Sequence, residues 1–66
     1  MANRPKLEAA RKTFADVTGA LEDAALLASE AQAAPSLVAA CQSCDRLIIA
    51  VETCRGRLDR LKRRLE

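Results

Sequence analysis

The sequence predicts an all-α fold, an antiparallel two-helix hairpin (α-hairpin) that dimerises into a four-helix bundle. Three observations carry that expectation. Two runs of apolar residues repeat every 3.5 residues, the period of helices packed along a narrow seam. A Pro-Ser pair, Pro35-Ser36, separates the two runs. And the 66 residues include only 15 Val, Ile, Leu or Phe side chains, a core that rarely supplies more than about 3–5 kcal/mol, so a chain of this size needs a staple or a partner.

The first helix is expected over about residues 4–33 of a single domain spanning 1–66. Its seam is Leu7, Ala10, Phe14, Val17, Leu21, Ala24, Ala28 and Ala31, spaced alternately by three and four. Asn3 suits the N-cap, and Pro5 is tolerated in a first helical turn. A turn at about 34–36 follows, because Pro35 cannot extend the helix and pushes Ala34 away from α geometry. Ser36 is the natural N-cap of a second helix over about 37–64. Its seam is Leu37, Ala40, Cys44, Leu47, Val51, Cys54, Leu58, Leu61 and Leu65, two residues out of phase with the first. So short a connection makes the helices antiparallel neighbours. No stretch alternates with period two for more than a few residues, so no strand competes.

Two helices bury one seam and leave their flanks wet. Leu26, Leu27, Cys41, Ile48 and Ile49 lie off the seams in the half nearer the turn. An apolar stripe that wide faces something other than water. These five residues are the expected interface, with a second copy or with another helical protein. The 14 alanines suit close helix approach.

The stretch Cys41 to Cys54 holds three thiols and two acids, the most chemical-looking part of the chain. Cys44 and Cys54 are ten residues apart, about 15 Å along a helix, whereas zinc needs sulfurs about 2.3 Å from one ion. Cys41 and Cys44 stand one turn apart, but no histidine completes a site. Without histidine the commonest general base is also missing. Gly19 and Gly56 belong to no phosphate-binding loop. The thiols are expected as packing, with no metal, no cofactor, no small-molecule substrate and no enzyme activity.

Three cysteines form no even-numbered disulfide framework. Reduced thiols fit a cytoplasmic protein, and the N-terminus lacks the apolar segment of a signal peptide. No apolar run reaches the roughly 20 residues that span a bilayer. The final Leu65-Glu66 matches a common vector-encoded ending, so neither residue anchors the functional reading.

Charge is unevenly placed. Residues 1–13 carry +3, residues 14–53 carry −5 and residues 54–66 carry +4. An antiparallel hairpin joins the first and last segments into a basic open end. Cations in the last turn complement a helix dipole, but Arg55, Arg57, Arg60, Arg63 and Arg64 exceed that need. Arginine's fork suits carboxylate or phosphate, so these five are the expected contacts for an acidic or phosphate-bearing partner. No aromatic accompanies them for base stacking, which ranks a protein partner above nucleic acid.

In length, hairpin plan and heptad layering the chain resembles the Rop-type plasmid RNA-binding proteins, two-helix hairpins paired into a four-helix bundle. That likeness implies a bacterial RNA-binding dimer as the alternative function; it matches no motif, so no RNA-contact residue is implied. Locally, APSLVAACQS, Ala34 to Ser43, resembles the Pro-Ser turn and following helix of type III secretion needle subunits. It lacks their second turn proline and usual aromatics. This second likeness implies a small secretion-system subunit or co-chaperone. The leading expectation is a non-enzymatic helical-hairpin interaction module working by homo- or hetero-association.

Overall fold

The computed structural model describes residues 3–66. Two α-helices, α1 (Asn3–Ala31) and α2 (Leu37–Leu65), pack side by side as an α-hairpin with no strand among the described residues. Each helix has 29 residues, about 43 Å at 1.5 Å per residue. The hairpin is a flat two-helix layer measuring 55 × 17 × 8 Å between Cα atoms. Its radius of gyration is 15.7 Å, against about 11 Å for a compact chain of this length.

The turn is built as the sequence suggests, with shifted boundaries. α1 ends at Ala31 rather than 33, because Pro35 offers no N–H and disfavours α geometry before it. The chain leaves α1 through tightened turns. The N–H groups of Gln32, Ala33 and Ala34 donate to the carbonyls of Ser29, Glu30 and Ala31 at 3.2, 3.1 and 3.1 Å. Ser36 adopts extended backbone, φ −156° and ψ 165°. Its hydroxyl accepts from the Ala39 N–H at 3.1 Å, satisfying one orphan donor of α2. Asn3, expected as the N-cap of α1, is itself helical and is the first of the described residues. Pro5 lies in the first described turn of α1, where a missing N–H is tolerated.

The two helices meet through a thin seam. Ala10 and Val17 of α1 and Cys54 and Leu61 of α2 are the buried apolar residues. Thr13, Ala20, Ala24, Leu27 and Ala31 of α1 and Ala34 of the turn are half-buried, as are Ala40, Ser43, Leu47 and Ala50 of α2. Small side chains on both sides allow the backbones to approach closely. The three ion pairs among the described residues, Arg4–Glu8, Arg55–Asp59 and Lys62–Glu66, all span i to i+4 at 3.8 Å on exposed surface. The side-chain hydrogen bonds there are local as well. Apolar packing alone therefore ties α1 to α2, since exposed pairs within one helix contribute about 0.3–0.5 kcal/mol each.

Candidate association face

The seam differs from the sequence expectation by a rotation of both helices. The every-seventh column Ala10, Val17, Ala24 and Ala31 lies inside, as expected. Its companion is Thr13, Ala20, Leu27 and Ala34, not Leu7, Phe14, Leu21 and Ala28. On α2, Ala40, Leu47, Cys54 and Leu61 lie inside with Ser43 and Ala50, whereas Leu37, Cys44, Val51, Leu58 and Leu65 do not. The reason is geometric. Columns spaced by three and four straddle roughly 50° either side of one another, and a single neighbour covers only one of them fully along with the residues on its far flank.

The excluded columns are large and apolar. Leu7, Phe14 and Leu21 are each 50% exposed, Val51 53%, Leu58 38% and Leu65 43%. On each helix the exposed column follows the buried one by four residues, as Phe14 follows Ala10 and Leu58 follows Cys54. Antiparallel helices are related by a two-fold normal to the plane of the pair, which keeps the front of the layer in front. Equal offsets on both helices therefore put both columns on the same face. Leu7 and Leu65 do line one groove at the open end. The hairpin is thus two-sided: one face presents Leu7, Phe14, Leu21, Ala28, Leu37, Cys44, Val51, Leu58 and Leu65 as an apolar strip.

The opposite face is polar. Asp16, Gly19 and Asp23 of α1 share a shallow cleft with Arg57 of α2. Ala20, Asp23, Leu27, Ala50, Thr53 and Arg57 line a second cleft beside it.

Of the five residues expected at the interface, the structure distributes three kinds of role. Leu27 is half-buried between the helices and belongs to the hairpin's own seam. Cys41 and Ile48 are exposed and border the apolar strip, three residues before Cys44 and Val51. Leu26 and Ile49 are 62% and 67% exposed and lie toward the polar face, in helical register with Gly19 and Thr53. The residues that form the middle of the strip, Phe14, Leu21, Val51 and Leu58, were assigned by sequence to the seam. The width of the 3-4 repeat could have revealed them, since both columns cannot point at one neighbour.

The thiols divide too. Cys54 is buried and packs as a small hydrophobe, whereas Cys44, expected in the seam, is exposed like Cys41. No group of three metal-ligating side chains comes together among the described residues.

All five arginines named from the sequence are exposed on the last turns of α2. Arg57, Arg60 and Arg64 share one stripe by their i, i+3, i+7 spacing, with Arg63 next to it. This stripe is on the polar side, where Arg57 adjoins Asp16 and Asp23. Arg55 stands apart, bordering the apolar strip and paired with Asp59.

The exposed surface measures 5458 Å², against about 4,100 Å² for a compact monomer of 7.1 kDa. The surplus follows from the flat, elongated two-helix layer. No helix among the described residues is long and apolar enough to cross a membrane. Comparison of the chain with protein-family models, with curated proteins and with solved structures finds no match.

Proposed function

We propose that the chain is a non-enzymatic association module whose working surface is the apolar face of the hairpin. One observation carries the reading: both helices turn an unburied column of large side chains to the same side, Leu7, Phe14 and Leu21 beside Val51 and Leu58. Such a strip in water has no role in the hairpin itself, and apolar patches of this extent mark interaction sites. The test compares the native chain with Leu21→Lys by sedimentation and by binding of an apolar fluorescent dye. The native chain is expected either to associate or, as a folded monomer, to bind the dye. The variant is expected to lose whichever property the native chain shows while remaining helical. A folded native monomer that binds no dye, indistinguishable from the variant, overturns the reading.

A second reading is favoured by the stripe Arg57, Arg60 and Arg64. These cations face away from the apolar strip, so association leaves them free to meet an acidic or phosphate-bearing partner. Rop-like RNA binding belongs here. RNA binding through this stripe would weaken steeply with salt, and Arg60→Gln with Arg64→Gln would reduce it without changing the oligomeric state. Failure of the native chain to bind RNA at low salt removes that alternative.

A further inference from the structure

We infer that the occupant of the apolar face is a second copy of this chain, packed with its turn at the opposite end, so that the two hairpins form a four-helix bundle. The inference rests on the association reading above and specifies its partner and orientation.

Area comes first. The 55 by 17 Å face offers a footprint of about 900 Å², close to the roughly 800 Å² per partner of a stable interface. The exposed columns also supply the heptad positions that a bundle core requires, since the buried column faces the hairpin partner and the exposed one faces the missing layer.

Volume then selects the orientation. At the open end the strip is bulky, with Leu7 level with Leu65. Toward the turn it is slight at Ala28 and Cys44, with Leu37 beyond them at the start of α2, past the end of an oppositely directed second copy. Two hairpins with turns at the same end would stack Leu7 on leucines at one end and Ala28 and Cys44 on their own kind at the other, overfilled and hollow. With turns at opposite ends, Leu7 and Leu65 lie over the second copy's Ala28 and Cys44. Phe14 and Leu58 then lie over its Leu21 and Val51. The end layers then pair large with small while the middle layers hold Phe14, Leu21, Val51 and Leu58, a more even filling than turns at the same end would give. The pairing of Leu7 with Ala28 and Cys44 holds even without Leu65.

One two-fold axis satisfies both helices. On α1 it falls midway between Phe14 and Leu21, and on α2 midway between Val51 and Leu58. In the hairpin these points are nearly level, as the shared linings of Leu7 with Leu65 and Ala15 with Arg57 show. A register that failed to coincide would have excluded the arrangement.

Charge selects the same orientation. The borders of the strip carry Arg4, Arg11, Arg55 and Lys62, all in the half nearer the open end. Turns at the same end would crowd eight cations around one rim. Turns at opposite ends lay Arg4, Arg11 and Lys62 over the second copy's Gln32, Ala25 and Ile48, leave only Arg55, paired with Asp59, beside its own counterpart at the axis, and bring the acidic half of each hairpin beside the basic end of the other.

The closing experiment reads orientation and identity together. Spin labels at Gln32→Cys, in a chain carrying Cys41→Ala, Cys44→Ala and Cys54→Ala, report the distance between turns in the assembled protein. The expected separation is about 40 Å or more, from 1.5 Å per residue along α1; a separation under about 25 Å, the reach of two adjacent helix ends plus label arms, overturns the orientation. Should the cysteine-free chain not fold, the native background gives the same answer through volume exchange. Leu7→Ala and Ala28→Leu should each weaken the dimer about tenfold or more, and together should restore it to within about threefold. Absence of restoration overturns the orientation. A folded native monomer that binds the apolar dye overturns the second copy as occupant, while the association reading stands.

Discussion

The two faces of the hairpin are built from the same helices and differ in nearly everything. One presents Phe14, Leu21, Val51 and Leu58; the other presents Asp16, Asp23, Thr53 and Arg57 on either side of a shallow cleft. The cause is a phase choice. With Ala10, Val17, Cys54 and Leu61 inside, the residue four positions on emerges on one face and the residue six on emerges toward the other. The sequence places Phe14, Leu21, Leu58 and Leu65 at the first offset and the charged Asp16, Asp23 and Arg60 at the second. Association through the apolar face, as proposed, would give that difference a use.

The comparison breaks most severely at the seam between the faces. Leu61 is 3% exposed, and Leu61→Ala removes a buried side chain at a cost of about 2–4 kcal/mol. In a fold with only about 3–5 kcal/mol to lose, that variant should show a large drop in helical circular dichroism at ambient temperature. Retention of the native melting midpoint would mean that the seam is not where the hairpin is held.

Next comes a matched pair that sets face against face. Leu21→Lys places a charge in the apolar strip, whereas Leu26→Lys places one on an already exposed position toward the polar side. The first should raise the dissociation constant about a hundredfold, roughly 3 kcal/mol. The second should change it by less than about threefold. Equal effects in sedimentation would erase the distinction between the faces.

Two smaller effects sharpen the account of the hairpin itself. Ser36→Ala deletes the hydroxyl that accepts from the Ala39 N–H and should cost about 1 kcal/mol in thermal unfolding. Gly19→Ala acts in the opposite direction. A methyl at Gly19 meets open space, so the variant should gain about 0.5–1 kcal/mol from helix propensity and leave association unchanged. A loss of association on adding that methyl would show that the polar face, too, is covered.

Much of this was legible in the letters. The hairpin, its turn and the cap at Ser36 follow from period, proline and hydroxyl, all local properties of the chain. The ends of α1 were less so, because Asn3 and residues 32–34 depend on how a terminus enters the helix and how a proline-bound turn tightens. The seam was legible only in part: Leu27, which the period puts off the seam, is half-buried in it, while Phe14, Leu21, Val51 and Leu58, which the period puts in the seam, are exposed. A 3-4 repeat fixes which stripe is apolar and leaves open which half faces which neighbour. Rotation about the helix axis is a tertiary property, settled here by the small residues Ala20, Ala24, Ala40 and Ala50 drawing the helices together on one side.

The most direct test of the central claim is the solution mass of the native chain, measured by light scattering on a reduced sample across protein concentrations at low and high salt. The account predicts twice the 7.1 kDa of one chain, retained at high salt because the interface is apolar. A folded chain of 7.1 kDa at every concentration, or a dimer that dissociates as salt is raised, would contradict it.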